Sequence, residues 1–475
     1  MSLRDALAEA LGDDGRVADG DSALDQHAAD LSYHQPHRPD AVVFPESTDE
    51  VARVLAFADR ERVPVVPFGA ATSLEGHVIP VHGGISLDLG RLNRIVAVEP
   101  ADLVAVVQPG VTRLALNERL GREGLQFPVD PGADATLGGM AATNASGTTT
   151  VRYGGMRAHL LALEVVLAGG RVIRTGSRAR KSSAGYDVTS LFVGSEGTLG
   201  VITELTLRVH GIPEHAVAIR IAFPDVDAAC RAAVALVGAG VSVTRLELLD
   251  ADTLRAVNAY KGTGYEESAS LFVELAGSEE GVAGDLEATR EFAELEGATE
   301  LQAERDPTAR SRLWEARHHV LFALVAASPG KEHLSTDVCV PVSHLPDAVR
   351  HARDEIERQQ LAGTVVAHAG DGNYHVLFML DPADPSELER ARALNAAIVA
   401  WALDHGGTCT GEHGIGLGKI GYLEREHGDL LPLMRGVKAL LDPNGIMNPG
   451  KIFRRKSGSR DPRETGSMWQ HRDGE

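Results

Sequence analysis

Two short stretches near the C-terminal end carry the side chains best suited to chemistry. One reads Val365-Val-Ala-His368-Ala-Gly-Asp371-Gly-Asn373-Tyr-His375, and the other reads Thr410-Gly-Glu412-His413-Gly-Ile-Gly. Two imidazoles and one carboxylate suit a borderline divalent ion such as zinc, manganese or iron. The neighbouring His413 is then available to move a proton. Seven residues apart, His368 and His375 would face opposite sides of a straight strand. The intervening Gly370-Asp-Gly-Asn373 predicts a turn instead, which folds the two halves back and brings both imidazoles together. The spacing is no zinc-finger pattern, so the site rests on both glycine-crowded motifs together.

The elements that must position these residues follow from periodicity and punctuation. Residues 1–37 read as a helical lead-in. Ala41–Phe44 is a short strand, Ser47 or Thr48 caps a helix over 51–62, and 63–67 is a strand. Short apolar strands follow at 85–88, 95–99 and 103–108, then a helix over 111–123. Residues 128–158 read as loop-rich, and 163–167 with 171–174 as a hairpin around Ala-Gly-Gly. A break falls near Gly211-Ile-Pro213. Beyond it, strands at 216–222, 243–248, 271–275, 338–341, 364–368 and 376–380 alternate with helices at 226–237, 283–295, 345–359 and 385–403. That order predicts an α+β chain whose second half is a ferredoxin-like antiparallel sheet with helices on one face. A helix over 430–441 lies in a C-terminal section, 406–453. Residues 454–475 are polar, without periodicity, and read as a disordered tail.

Composition bounds the function. At 475 residues the chain exceeds one ordinary domain. A net charge of −21 argues against nucleic-acid binding, which needs clustered Lys and Arg. No 18-residue apolar run is present, so no membrane-spanning helix is expected. The first ten residues read as an acidic amphipathic helix rather than a secretory signal. Three widely separated cysteines (Cys230, Cys339, Cys409) fit a reducing compartment. Together these place the chain in the cytoplasm, free or peripheral to a membrane.

Three loops rich in Gly, Ser and Thr, at 68–77, 131–147 and 194–200, each follow or join a strand. Such loops turn backbone N–H groups toward an anion, and a dinucleotide pyrophosphate is a natural guest. No Gly-x-Gly-x-x-Gly opens a helix after the first strand and no Gly-Lys-Ser/Thr loop appears, which disfavours a nicotinamide site and a kinase-like site.

The chain resembles the vanillyl-alcohol oxidase superfamily of flavoproteins, and within it the D-lactate and D-2-hydroxyacid dehydrogenases. The resemblance runs over roughly residues 38–453. It rests on Val66-Pro-Phe-Gly-Ala-Ala-Thr-Ser-Leu-Glu-Gly76, the run from Phe127 to Thr143, Val151-Arg-Tyr-Gly154, Lys181 to Tyr186, Leu191-Phe-Val-Gly-Ser-Glu-Gly-Thr-Leu-Gly200, Ser335-Thr-Asp-Val-Cys-Val-Pro341 and both C-terminal motifs. It implies an FAD-binding domain over 38–212, a substrate-binding cap domain over 213–405, and a section at 406–453 that completes the FAD and metal sites.

The resemblance also implies site residues. Pro67, Gly69, Ala70, Ala71, Thr72 and Ser73 would wrap the FAD pyrophosphate. Pro131, Gly132, Gly138, Gly139, Thr143, Ser146 and Gly147 would line the flavin and phosphates. Glu196, Gly197, Gly200 and Ile202 would close over the adenine side, with Asn448 approaching from the C-terminal section. Ala70-Ala71 and Ser73 depart from glycines common at those places. His77 is read as a packing residue rather than a covalent tether for the flavin. A divalent metal (Zn, Mn or Fe) would sit on His368, His375 and Glu412, with His413 as the base, Arg317 holding the substrate carboxylate and Asn373 orienting substrate or a ligand.

The implied reaction is oxidation of a small D-2-hydroxy acid to the 2-oxo acid, with hydride passed to flavin N5. Electrons would then go to a cytochrome, a quinone or an electron-transfer flavoprotein. Relatives acting on 2-hydroxyglutarate carry a Thr and a Lys where this chain has Leu321 and Ser335, which points to a substrate with one carboxylate. Alternatives are a glycolate-oxidising subunit, a D-2-hydroxyglutarate dehydrogenase, a flavin-binding subunit without turnover and, from another class, a metal-dependent hydrolase with a nucleotide-binding half. The oligomeric state is left open by the sequence, with a homodimer among the candidates.

Overall fold

The computed structural model describes residues 1–454, so the expected tail lies, beyond Arg454, outside the described residues. The chain forms two compact units. The first contains Met1–Ala145, Gly155–Gly211 and the chain from His413 onward; the second contains Ser146–Gly154 and Ile212–Glu412.

In the first unit, strands Ala41–Val43, Ile85–Asp88 and Val65–Phe68 run parallel, and Val17–Ala18 closes one edge antiparallel. Helix Thr48–Glu61 makes the crossover, capped by Ser47, whose hydroxyl accepts from the Glu50 N–H. Its Val51, Val54, Leu55 and Ala58 lie fully buried against Val43, Val65 and Leu87. A second, antiparallel sheet has the order Ile95–Glu99, Val104–Val107, Val201–Arg208, Leu160–Val166, Val172–Gly176. The expected hairpin around Ala-Gly-Gly is its outer pair.

The stretch read as loop-rich holds a helix, Leu137–Thr143. Two adjacent glycines cost a helix roughly 1 kcal/mol each, and that hid it. Packing overrides the propensity, because a Cβ on Gly138 would stand 2.5 Å from the Pro109 side chain. Asn144 ends the helix in the left-handed region at φ 52°.

The second unit is built on an antiparallel sheet in the order Glu300–Glu304, His215–Phe223, Ala269–Gly277, Val243–Leu249, Gly363–His368, Asn373–Leu380, Glu332–Ser335; Val338–Cys339 also pairs with Asn373–Leu380. Helices cover both faces, not one. Helices Val226–Gly238, Glu279–Leu295 and Leu345–Gln359 form one layer against these strands. Ala251–Lys261, Pro307–His318 and Val320–Ala327 form the other, packing Leu254, Leu313, Trp314 and Val320 on Ala218, Leu249, Phe272 and Val366. That second layer went unread because its helices carry weakly amphipathic sequences. The first of them is capped by Asp250, the residue directly after strand Val243–Leu249, whose carboxylate accepts from the Thr253 N–H.

Register then assembles the site. His368 pairs with Asn373 across the hairpin, and His375 pairs with Val366. Paired residues share a face and so do alternate residues along a strand, so His368, Asn373 and His375 all project to the same side. Glu247 pairs with His368 from the other neighbouring strand and joins them there. The hairpin closes through Gly372 at φ 79°, where a Cβ would stand 2.0 Å from the Val340 carbonyl oxygen.

Candidate active site and cofactor loops

The second unit brings His368, His375 and Glu412 together. Glu412 Oε1 lies 3.3 Å from Nε2 of each imidazole. The imidazole rings are edge-to-face, 5.7 Å between centroids. The other nitrogen of each ring is occupied. His375 Nδ1 donates to the Thr336 carbonyl at 2.9 Å, and His368 Nδ1 faces Glu247 Oε1 at 2.7 Å. A carbonyl only accepts, so Nδ1 of His375 carries the proton, and the Glu247 carboxylate favours the same tautomer on His368. Both Nε2 atoms are thereby left as lone-pair donors. The remaining Glu412 oxygen accepts from Ser146 Oγ at 2.8 Å. Three electron pairs within 4.8 Å of one another require protons or a cation between them. Two imidazoles and a carboxylate with every outer atom engaged fit a borderline divalent ion.

The electrostatics agree. Burial disfavours a charged His368, yet the Glu247 and Glu412 carboxylates more than offset it, and its pKa is raised well above the ordinary imidazole value. Burial would raise Glu412, but His368 and the hydrogen bonds from both imidazoles hold it well below the usual carboxylate range. Without an ion, His368 and Glu412 therefore favour an imidazolium–carboxylate pair. Asp371, in the hairpin turn, is pushed up to about 7 by burial, with His368 opposing and Glu247 and Glu412 adding to the rise.

Two carboxylates that the sequence reading missed hold this arrangement. Glu247 is wholly buried and accepts through Oε2 from Arg317, at 2.8 Å from Nε and 2.6 Å from Nη2. Its signal was one acid at an alternate position of an apolar strand, Leu246-Glu-Leu248. Asp337, also wholly buried, accepts through Oδ2 from Thr410 Oγ1 at 2.6 Å and from the N–H groups of Gly411 and Glu412, so it fixes the stretch that carries Glu412. Its Oδ1 takes the Asn373 side-chain amide at 2.8 Å, and the Val338 carbonyl takes the same nitrogen at 2.7 Å. That identifies the amide nitrogen, and leaves Asn373 Oδ1 buried with no hydrogen-bond partner among the described residues. Ser146, assigned to the flavin from the sequence, points its hydroxyl at the Glu412 carboxylate. Gly147 is buried beside it in the same unit.

The first unit gathers most of the expected cofactor loops. Gly69 sits where a Cβ would meet Thr136 Oγ1 at 2.5 Å, and Gly197 where one would meet the Pro67 ring at 3.0 Å. Asn448 Nδ2 donates to the carbonyls of Glu196, at 2.7 Å, and His77, at 3.0 Å. Ala70, Gly132 and Gly139 lie at the exposed surface, while Thr72 and Pro131 are half-buried. Ala71 holds the left-handed region at φ 53°, a conformation that glycine enters without a Cβ penalty. Ser73 Oγ donates to Asp30 and Thr143 Oγ1 to the Gly139 carbonyl. Gly200 admits Val165, and Ile202 pairs with that residue in the sheet core.

The Glu196 carboxylate turns inward. It accepts the N–H groups of Ile415 at 2.7 Å and Gly416 at 2.9 Å, and faces His77 Nε2 at 3.4 Å. His413 heads this same stretch. Burial would raise Glu196, but His77 and the two N–H donors keep its pKa lowered.

Residues 39–176 match the family described as FAD binding domain, and residues 212–452 match FAD linked oxidases, C-terminal domain. The probable D-lactate dehydrogenase, mitochondrial, of Danio rerio is 44% identical over 93% of this chain and 90% of its own length. The chain belongs to the FAD-linked oxidases. As a member it is a flavin-dependent oxidoreductase with FAD as cofactor.

The mitochondrial D-lactate dehydrogenase [cytochrome] of Arabidopsis thaliana is also 44% identical to this oxidase, over 89% of this chain and 75% of that one. Glycolate oxidase subunit GlcD of Bacillus subtilis is 36% identical, over 90% and 92%. Among solved structures, p-cresol methylhydroxylase superposes with a TM-score of 0.74 at 17% identity, covering 95% of this chain and 96% of that one, which shows the shared fold. No helix among the described residues of this FAD-linked oxidase is long and apolar enough to cross a membrane.

Proposed function

We propose that this FAD-linked oxidase oxidises D-lactate, or a closely related D-2-hydroxy acid, to the 2-oxo acid, with a divalent ion held by His368, His375 and Glu412. The convergence of three lone-pair atoms, each backed by its own hydrogen bond, carries the metal reading. The 44% identity to proteins named D-lactate dehydrogenase over most of the chain supports the substrate.

When bound, the flavin accepts a hydride and the ion acidifies a 2-hydroxyl. The chain does the rest. Arg317 gives two N–H groups to Glu247, and its remaining donors are suited to a substrate carboxylate. Asn373 offers its buried carbonyl oxygen to the substrate hydroxyl or to a ligand water. His413, next in the chain to Glu412, takes the hydroxyl proton. The loops around Gly69, Gly138 and Gly197, with Asn448, hold the FAD. Leu321, 37% exposed one turn beyond Arg317, supplies an apolar side chain where a second carboxylate would need a donor. Electrons pass to a cytochrome-type carrier, as the names of the Arabidopsis thaliana and Saccharomyces cerevisiae relatives suggest.

Glycolate is the second reading, favoured by relatives at 36% and 34% identity. One anaerobic experiment tests both. D-lactate should bleach the flavin band near ~450 nm, L-lactate should not, glycolate should do so more slowly, and chelator should abolish the effect until zinc or manganese is restored. Bleaching by glycolate in preference to D-lactate overturns the first reading, and bleaching undiminished by chelator overturns the metal.

A further inference from the structure

Glu247 touches both halves of the proposed site. It stands on a central strand, wholly buried, opposite His368 in register. Its two oxygens are divided: Oε1 takes the His368 ring and Oε2 takes the Arg317 guanidinium. Those partners come from different elements, the end of strand Gly363–His368 and the last turn of helix Pro307–His318. No other carboxylate among the described residues lies within ion-pair distance of Arg317. Helix propensity gives that last turn no orientation of its own, and a guanidinium on a long side chain carries about 2 kcal/mol of rotamer entropy.

We infer that Glu247 is a positioning residue that sets the metal-ligand imidazole and the carboxylate-gripping guanidinium from a single buried group. The inference rests on the roles proposed above for His368 and Arg317. It predicts that the two cannot be perturbed separately from Glu247. A glutamine of the same shape can serve only one partner. If its oxygen faces Arg317, its amide N–H points at His368 Nδ1 and forces the proton onto Nε2, the tautomer that cannot bind an ion. If it is turned over, its amide N–H groups oppose the guanidinium donors.

The experiment uses the full-length, FAD-loaded protein. Zinc affinity is read by competition with a chromophoric chelator, and the D-lactate KM by flavin reduction. In Glu247→Gln we expect zinc affinity to fall about 10- to 100-fold and the KM to rise in the same variant. Wild-type zinc affinity, or a loss of zinc affinity with the KM unchanged, overturns the inference. Should the variant fail to fold, the wild type still decides. With zinc bound, nitrogen-15 spectra of the His368 ring must show the proton on Nδ1, and a proton on Nε2 overturns the assignment. If the wild type takes up no zinc or manganese at all, it is the metal reading that fails, and the link to Arg317 stands or falls on the KM of Glu247→Gln.

Discussion

His368 and His375 present the right nitrogen only because something holds the other one. That dependence was invisible in the sequence, where both histidines could be named but Glu247 and the Thr336 carbonyl could not. Backing groups of this kind sit far away along the chain and arrive by strand register, which no local pattern announces.

The same cluster makes a prediction about pH. The metal-free protein has a His368 with a raised pKa and a Glu412 with a depressed one. The imidazolium's contribution to stability is complete below its unfolded value near ~6.5 and is lost as pH rises through the raised folded value. The Glu412 contribution is present above its unfolded value and lost as pH falls through the depressed one. An ion bound here would replace the proton, so its binding would release it and strengthen as pH rises. We expect the difference in melting temperature between zinc-loaded and chelator-treated protein to widen from pH 6 to pH 9; a difference that is flat or narrows counts against the cluster as an ion site.

His413 carries the other prediction at this scale. His413→Ala should slow anaerobic flavin reduction by D-lactate about 10²- to 10⁴-fold, the usual worth of a positioned base, while zinc content stays at the wild-type level. A rate within twofold of wild type removes it as the base.

Among the elements, the hairpin is where the sequence was most legible. Gly370-Asp-Gly-Asn373 announces a turn, and a turn of that length returns His375 to the face of His368. Sequence reasoning also places Ile85–Asp88, Ile95–Glu99 and Leu345–Gln359 with the ends they have in the structure. It loses Leu137–Thr143, whose glycines are chosen for contact with Pro109 and not for helicity. It loses the second helical layer as well, whose helices are short and weakly amphipathic.

Gly372 gives the sharpest test of the hairpin. Alanine there meets both a left-handed backbone and the Val340 carbonyl, so we expect Gly372→Ala to cost at least about 1–3 kcal/mol in urea unfolding. It should lower zinc stoichiometry together with stability, since the turn sets the register of both histidines. Unchanged stability would mean that the turn has room that this geometry denies it.

For the molecule as a whole, charge is the property the sequence states outright. A net charge of −21 repels nucleic acid and would attract a basic protein partner at long range. If the acceptor is a basic cytochrome, its reduction by the D-lactate-reduced enzyme should slow steeply as ionic strength rises from about 0.01 M to 0.15 M, where screening shortens from ~30 Å to ~8 Å. Reduction of an uncharged dye should barely change. Equal salt sensitivity for both acceptors would argue against electrostatic recruitment.

The path of the chain through its two compact units has a consequence for synthesis. Residues 146–154 belong with the second unit though flanked by the first, and the first is completed only by residues after 412. Met447 bridges to Val65, and the Lys438 ammonium holds the carbonyls of Thr198 and Met447. A ribosome delivers these after the whole of the second unit. The nascent FAD-binding unit must therefore wait, with its parallel strands unfinished, while some 200 residues of the other unit emerge and fold. Strands left unfinished in this way are open to misassembly during translation, and a nonsense codon between the hairpin and Met447 would release a product whose earliest-made half is the one left incomplete.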